Sequence, residues 1–148
     1  MKNVNTLLKC LTLITIATMC INIEAFPFFK GTKFHVIIMN LMSQETLNTH
    51  CISDYQEQNF SNQIAPNTNL TWSFTTQLFG QTNYTCDLSI SKARVNILAY
   101  SEDEDFVDDG CGGRHCFWKV ARDGIYLYHI HKQQFFLKYR WGPKALSV

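Results

Sequence analysis

Alternating apolar and polar residues predict short strands along most of the chain. The segment from Leu70 to Thr75 alternates without fault between large apolar residues and small hydroxyl residues. The segment from Asn83 to Ser91 repeats the pattern, with Cys86 at one of its apolar positions. Strict alternation turns one set of side chains toward a core and the other toward water. Both segments are therefore predicted to be half-buried strands, and Cys86 is expected to face inward.

Other apolar segments complete the predicted set of strands. Lys33 to Leu41 is a near-continuous apolar run with β-branched residues, which is typical of a strand covered on both faces. Asp54 to Asn69 is polar, contains Pro66, and predicts a loop. No stretch shows sustained helical periodicity. Further strands are predicted at Leu47 to Ser53, Val95 to Tyr100 and Phe135 to Trp141. In the last of them the residues expected to face inward are Phe135, Leu137, Tyr139 and Trp141.

The pattern around Asp123-Gly124 predicts a β-hairpin. Phe117 to Arg122 and Ile125 to Ile130 are rich in aromatic and β-branched residues, and only this dipeptide separates them. Asp-Gly tolerates the two positive φ angles of a type I′ turn. In the first strand, Trp118 is expected on a buried face and Lys119 on the opposite face.

Seven or eight short strands separated by turn signals predict an all-β fold, an antiparallel β-sandwich. A small closed barrel is the alternative. Trp72, Trp118 and Trp141 occupy inward-alternating positions, so they are expected to fill the core rather than to stack on sugars. The predicted core includes Val36, Ile38, Trp72, Phe74, Leu88, Ile97, Trp118, Val120 and Leu127.

Residues 1–25 have the pattern of a secretory signal peptide. Lys2 and Lys9 supply positive charge, Leu7 to Ile21 is mostly apolar, and Ala25 offers a small residue at the cleavage site. The apolar run falls short of the roughly 20 residues that a membrane span needs. Cleavage would leave residues 26–148 as a single domain. We therefore expect a secreted, extracellular protein that does not insert into a membrane after cleavage.

The cysteines that remain after the predicted signal peptide are Cys51, Cys86, Cys111 and Cys116. An even number in a secreted chain predicts two disulfides. Four cysteines allow three connectivities, which the sequence does not resolve. In the chain-entropy treatment a Cys111–Cys116 loop is worth about 2 kcal/mol and a Cys51–Cys116 loop about 4 kcal/mol. On this ground we favour the pairs Cys51–Cys116 and Cys86–Cys111.

Charge and glycosylation signals add to the expectation of export. Removal of the signal peptide leaves eleven basic and eleven acidic residues. This balance argues against nucleic acid or an anionic membrane surface as a partner. Candidate N-glycosylation sequons begin at Asn59, Asn69 and Asn83.

Histidines are the residues most able to carry chemistry. His129 and His131 are predicted on one strand face, and His115 or His50 could complete a metal site. Exposed strand histidines without metal are the commoner case, so we expect no metal and no cofactor. Two histidines can also act as base and acid in a ribonuclease, but the flanking residues are not those of one. We therefore expect a protein without enzymatic activity.

An acidic segment precedes the hairpin. It contains Glu102, Asp103, Glu104, Asp105, Asp108 and Asp109. The segment lacks the spaced pattern of a preformed calcium loop, so a solvated acidic loop is the favoured interpretation. Loops on a rigid scaffold often carry binding function. We therefore expect this segment to be a charged tip that recognises a partner.

Several of these features occur together in one family. In order and spacing, nearly the whole mature chain resembles the plant self-incompatibility S-protein homologues, through His50-Cys51, Trp72-Ser73-Phe74, Tyr84-Thr85-Cys86, Cys111, Cys116-Phe117-Trp118 and Asp123-Gly124-Ile125-Tyr126. The resemblance implies a small secreted β-sandwich with two disulfides, often glycosylated. The chain departs from the family pattern at Asp87, where an aromatic residue is common, and between Ser53 and Gln58, which lack the usual glycine.

The resemblance also implies a function. The founding members of the family are pistil-secreted ligands that act on incompatible pollen through a cell-surface receptor. We accordingly expect a secreted signalling or recognition ligand with a cell-surface receptor protein as its partner. The alternatives are a secreted carbohydrate-binding or inhibitor protein, or a small hydrolase such as a ribonuclease. The expected contact loops are Asp54 to Asn69, Gln77 to Thr82 and Ser101 to Gly110.

Overall fold

The computed structural model describes residues 31–54, 58–77 and 81–143, and the predicted signal peptide lies outside them. Within these residues the helical elements are α1 (Glu104–Gly110) and a 3₁₀ turn at Gly112–Arg114. The strands are β1 (Lys33–Asn40), β2 (Leu47–Ser53), β3 (Asn59–Ile64), β4 (Asn69–Thr75), β5 (Tyr84–Ser89), β6 (Ala93–Tyr100), β7 (His115–Ala121), β8 (Gly124–His129), β9 (Gln134–Tyr139) and β10 (Gly142–Pro143).

The described strands form two five-stranded sheets. Sheet A has the strand order β4-β1-β7-β8-β9, and sheet B has the order β10-β6-β5-β2-β3. Neighbouring strands are antiparallel except β1 and β7, which run parallel. Buried residues of both sheets form one hydrophobic core. The predicted antiparallel β-sandwich is confirmed, with one parallel pair that the sequence pattern did not indicate.

Trp118 connects the two sheets at the centre of this core. Its side chain is buried, and its Nε1 donates a hydrogen bond to the carbonyl oxygen of Ala99 in β6 at 2.9 Å. A buried indole N–H needs such an acceptor. The other predicted core residues are also buried, except Trp72, which is partly buried and packs against the core as Trp141 does.

β1 confirms the predicted strand, but only one of its faces lies in the core. Phe34, Val36 and Ile38 are buried, whereas Ile37 and Met39 on the opposite face are partly exposed. Among the described residues, no second layer covers this outer face of sheet A. The prediction of a strand covered on both faces is therefore only half right.

A strand interrupts the stretch that was predicted to be a loop. β3 pairs with β2 at the edge of sheet B, and its last residue, Ile64, is buried. The residues that face water are polar, among them Ser61 and Gln63. An edge strand with a polar outer face carries little apolar signal. The prediction of a continuous loop from Asp54 to Asn69 is therefore wrong.

The predicted hairpin forms with a different turn. Ala121 pairs with Gly124, so Arg122 and Asp123 are the two turn residues. Neither has a positive φ, which excludes the predicted type I′ turn, whereas Gly124 has φ +154°. A Cβ atom on Gly124 would collide with the side chain of Leu137. Glycine is therefore needed at the start of β8, where β9 approaches closely.

A bulge changes the side-chain alternation of β9. Tyr139 pairs with Ile125 and Leu137 with Tyr126, so Lys138 has no partner of its own. An extra residue in one strand reverses the facing of the residues beyond it. Leu137 consequently lies on the outer face of sheet A and is 37% exposed. Phe135, two residues earlier, lies on the same outer face, so the prediction that Phe135 and Leu137 face inward is wrong for this reason.

The described residues contain two disulfides, Cys51–Cys86 and Cys111–Cys116. The favoured pairs, Cys51–Cys116 and Cys86–Cys111, are therefore wrong. Cys51 and Cys86 are direct partners on the adjacent strands β2 and β5, with Cα atoms 4.1 Å apart. Cys116 lies on β7 in the other sheet. Strand register thus decides the pairing, because a disulfide needs Cα atoms within about 7 Å whatever the loop entropy favours.

Candidate recognition surfaces

The acidic segment is a short helix rather than a loop. Asp103 caps α1 by accepting a hydrogen bond from the backbone N–H of Phe106 at 3.2 Å, and Glu104 and Asp105 occupy the first turn. Acids in this position interact favourably with the helix dipole. Phe106 and Val107 pack against the core. The carboxylates are consequently displayed from a helix whose other side is anchored, and the prediction of a solvated loop is corrected.

Three of the six acids border a cleft between α1 and sheet A. Asp103, Asp105 and Asp109 line it together with His129, Phe136 and Lys138, and its volume is about 270 Å³. The Nε2 atom of His129 lies 3.6 Å from Asp109 Oδ1. Asp108 instead lines a separate depression near Cys111, and Glu102 and Glu104 line neither. The structure therefore divides the predicted acidic cluster instead of bringing all its members to one site.

The histidines do not assemble the metal site that the sequence allowed. His129 lies in β8, whereas His131 lies in the turn that follows, with ring centroids 6.1 Å apart. His115 lies in β7 and His50 in β2 of the other sheet. Within the residues the structure describes, no group of three or more His, Cys, Asp or Glu side chains could hold a metal ion. The ribonuclease hypothesis requires His50 beside His129 or His131, but His50 lies in sheet B, His129 in sheet A and His131 in the turn after β8.

The three sequons lie in or beside strands. Asn59 and Asn69 are exposed at the first positions of β3 and β4, and Asn83 is partly buried just before β5. Glycosylation at these residues stays a prediction. Of the expected contact loops, Asp54 to Asn69 contains β3 and Ser101 to Gly110 contains α1, while part of Gln77 to Thr82 lies outside the described residues.

The outer face of sheet A carries residues that sequence reasoning missed as functional candidates. We call these residues the aromatic face: Phe117, Lys119, Tyr126, Tyr128, Phe135 and Leu137. The rings of Phe117 and Tyr128 have centroids 6.4 Å apart, and those of Tyr128 and Phe135 5.1 Å apart, both edge to face. The Lys119 ammonium lies 4.5 Å from the centroid of Tyr126 and 5.5 Å from that of Phe135. From the sequence, the members in β7 and β8 could have been identified by their outward positions in the predicted hairpin strands.

A pair of stacked histidines extends this face toward β1. His35 and His115 are direct partners across β1 and β7, and their rings are 4.8 Å apart with an interplanar angle of 7°. His115 Nδ1 lies 2.8 Å from the carbonyl oxygen of Gly113. Since a carbonyl oxygen only accepts, Nδ1 carries the proton. With its proton on Nδ1, neutral His115 offers Nε2 as a hydrogen-bond acceptor.

At the hairpin end of the aromatic face, Tyr126 is tied to Asp123. The phenol O–H donates a hydrogen bond to the Asp123 carboxylate. This bond lowers the pKa of the Asp123 carboxyl below its ordinary value and raises the pKa of the Tyr126 hydroxyl. Both effects have the same cause, because the ionised carboxylate is the better acceptor and the neutral phenol the only donor.

Part of the outer face of sheet B is a polar network. His50 is paired across the strands with Ser61 on one side and Asp87 on the other, and its Nδ1 lies 2.8 Å from Ser61 Oγ. Asp87 accepts hydrogen bonds from Arg94 at 2.8 Å and Asn96 at 3.2 Å. The bond from Arg94 holds the pKa of the Asp87 carboxyl below its usual range. This polar network occupies only part of the face, because Ile52 and Leu98, which flank Thr85 on β2 and β6, are 45% and 36% exposed on it.

Fold and surfaces together define a small, disulfide-bonded β-sandwich with exposed candidate binding surfaces. The sequence profile of the plant self-incompatibility protein S1 family matches residues 35–141, and the chain belongs to this family. The resemblance drawn from the cysteines, tryptophans and hairpin is thereby confirmed. No curated protein matches the chain. None of the helices in the described residues is long and apolar enough to cross a membrane.

Proposed function

We propose that this protein is a secreted plant recognition ligand that acts by binding a protein at a cell surface. The observation that carries the proposal is the match to the plant self-incompatibility protein S1 family over residues 35–141. The disulfides Cys51–Cys86 and Cys111–Cys116 support it, because disulfides persist in oxidising compartments outside the cytosol. The sandwich is the rigid frame, and the partner is recognised by side chains displayed on it.

The acidic helix α1 is one part of the proposed contact surface. Its carboxylates are exposed or half-exposed, whereas Phe106 and Val107 anchor it to the core. An anchored helix holds its charges in fixed positions, which limits the entropy lost when a partner binds. Exposed charges of this kind steer association and set specificity more than they raise affinity.

The experiment begins with secretion. The full chain with a carboxyl-terminal tag is expressed in cultured plant cells, and the released protein is analysed by amino-terminal sequencing. We expect release into the medium with Phe26 as the first residue. The labelled product is then titrated onto plant protoplasts with and without prior trypsin treatment. Saturable binding that trypsin abolishes supports the proposal. Intracellular retention, or binding that neither saturates nor responds to trypsin, contradicts it.

A charge-neutralised variant tests the contribution of α1. Glu104→Gln with Asp108→Asn removes two charges and keeps the Asp103 cap. Glu45→Gln with Asp87→Asn removes two charges outside α1 and outside the expected contact loops, and it is the matched control. We expect weaker protoplast binding, chiefly through a slower association rate, for the first pair only. Equal binding of both variants would remove α1 from the contact surface.

A further inference from the structure

The sequence and the structure disagree about the outer face of sheet A. β1 has the near-continuous apolar pattern that is typical of strands covered on both sides. In the described residues only its inner face is covered, and Ile37 and Met39 remain partly exposed on the outer one. The apolar pattern is therefore satisfied only if something else covers this face.

The neighbouring strands extend the same feature. Phe117 in β7 and Leu137 in β9 are each 37% exposed. The rings of Phe117, Tyr128 and Phe135 form a row across β7, β8 and β9, and Leu137 lies two residues along β9 from Phe135. Large apolar side chains that share one surface are uncommon on a protein without a partner at that surface. Aromatic residues and methionine are also the residue types enriched in protein–protein interfaces. The residue types thus favour a protein partner.

The charges on this face are nearly all of one sign. Lys33 and Lys119 project from its strands beside the imidazole rings of His35 and His115, and the acid at its border, Asp123, is already bonded to Tyr126. Within the described part of the chain, no carboxylate forms an ion pair with Lys119, whose ammonium lies over aromatic rings. A carboxylate that approaches across the rings would pair with Lys119 in a partly desolvated position, where charge pairs are strongest.

We propose that the aromatic face is the docking site for an acidic protein segment that also carries large apolar side chains. The apolar side chains pack on Phe117, Tyr128 and Leu137, and a carboxylate pairs with Lys119. The inference rests on the proposed function, since the segment belongs to the cell-surface partner. The contact surface then comprises the aromatic face as well as α1 and the expected contact loops.

The test uses a phage-displayed library of random 15-residue peptides as its probe. The secreted product of the full chain is immobilised, and selected peptides are synthesised and measured by fluorescence anisotropy. We expect the selected peptides to combine Asp or Glu with Leu, Phe, Tyr or Trp. Phe117→Ser and Lys119→Glu should each weaken their binding at least tenfold. Repeating the selection on Lys119→Glu should replace acidic peptides by basic ones.

Two controls match these variants. Lys92→Glu reverses an exposed charge in the turn between β5 and β6, and Gln63→Ser changes a polar residue of the edge strand β3 in sheet B. Both should bind the selected peptides within twofold of the unchanged protein. Circular dichroism and the urea unfolding midpoint establish that each variant is folded. Phe117 and Lys119 project away from the core, so their replacement should leave both readouts nearly unchanged.

Several results would overturn the inference. Selected peptides without acidic enrichment, or equal loss of binding in the control variants, would reject the stated chemistry or the stated site. A dimer in sedimentation that dissociates on Phe117→Ser would identify a second copy as the occupant. Binding of an uncharged oligosaccharide that competes with the peptides would identify a sugar-binding face. If protoplast binding is unaffected by Phe117→Ser, this inference fails while the proposed function stands.

Discussion

Cys51 and Cys86 face each other across β2 and β5 and close a disulfide within sheet B, with Cα atoms 4.1 Å apart. The second disulfide, Cys111–Cys116, joins the end of α1 to β7 and spans only five residues of sequence. Neither bond links the two sheets. Cohesion between the sheets therefore depends on side-chain packing and on hydrogen bonds such as those from Trp118 to Ala99 and from Asn40 to Ile64, and each disulfide stabilises one local region.

The two disulfides are expected to contribute unequally to stability. In the chain-entropy treatment, a separation of 35 residues for Cys51–Cys86 corresponds to about 4 kcal/mol, and a separation of 5 for Cys111–Cys116 to about 2 kcal/mol. Replacing both cysteines of each pair by alanine and measuring urea unfolding checks the order. A larger loss for the Cys111–Cys116 variant would contradict the entropic account.

Trp118 and Phe117 are neighbours in sequence but lie on opposite faces of β7, so their replacement is expected to cost different amounts of stability. Trp118→Ala should cost about 3–5 kcal/mol of unfolding free energy, because it leaves a core cavity. Trp118→Phe keeps a ring but leaves the Ala99 carbonyl oxygen without its donor, at a cost of about 1–3 kcal/mol. Phe117→Ser, on the outer face, should cost about 1 kcal/mol or less. Urea unfolding of the three variants tests the ranking, and comparable losses for Phe117→Ser and Trp118→Ala would contradict the assigned faces.

Removing the hydroxyl of Tyr100 is not expected to cost stability. The side chain is fully buried, and its O–H finds no hydrogen-bond partner in the described residues. An unsatisfied buried hydroxyl costs free energy, so Tyr100→Phe should be neutral or up to about 1 kcal/mol more stable at pH 7. The control is Tyr128→Phe on the aromatic face, for which we expect little change. A clear loss of stability in Tyr100→Phe would show that the hydroxyl has a partner.

The same residue predicts a difference at alkaline pH. Burial, with a smaller contribution from the charge of Glu102, raises the pKa of the Tyr100 hydroxyl above its ordinary value. A folded-state pKa above the unfolded one contributes stability that is complete below about pH 10 and is lost as pH rises toward the folded value. Wild-type protein should therefore lose stability above pH 10 more steeply than Tyr100→Phe. Parallel slopes for the two proteins in unfolding measured from pH 8 to pH 11 would refute this.

The Asp87 carboxyl on the outer face of sheet B is expected to give the opposite pH dependence, with stability lost as the pH falls. The hydrogen bond from Arg94 lowers the folded-state pKa of its carboxyl. The resulting stability is present above the unfolded pKa, near pH 4, and is lost as pH falls through the lower folded value. Asp87→Asn should be slightly less stable than wild type at pH 7, and the difference should shrink below about pH 4. Because the pair is exposed, we expect a small effect, and a double-mutant cycle with Arg94→Ala measures it.

Local patterns determined much of this fold. Strand positions follow from alternation, because side chains in a strand point alternately to its two faces over a few neighbouring residues. The same period identified the inward side of Trp118 and Phe74, and the family was evident from the spacing of cysteines, tryptophans and the hairpin dipeptide. The polar edge strand β3 and the helix α1 were not predicted, because neither carries enough apolar residues to show a strand or helix periodicity.

Relationships between distant segments were decided only by the tertiary structure. The pairing of Cys51 with Cys86, the parallel contact that stacks His35 on His115, and the outward turn of Leu137 all depend on register between strands. Register is set by how two whole sheets pack and by where a bulge shifts a strand, and a change of one residue moves a side chain to the other face. The sequence alone therefore determined most of the strands, whereas the folded sheets decided which side chains meet and which face of sheet A lacks a second layer among the described residues.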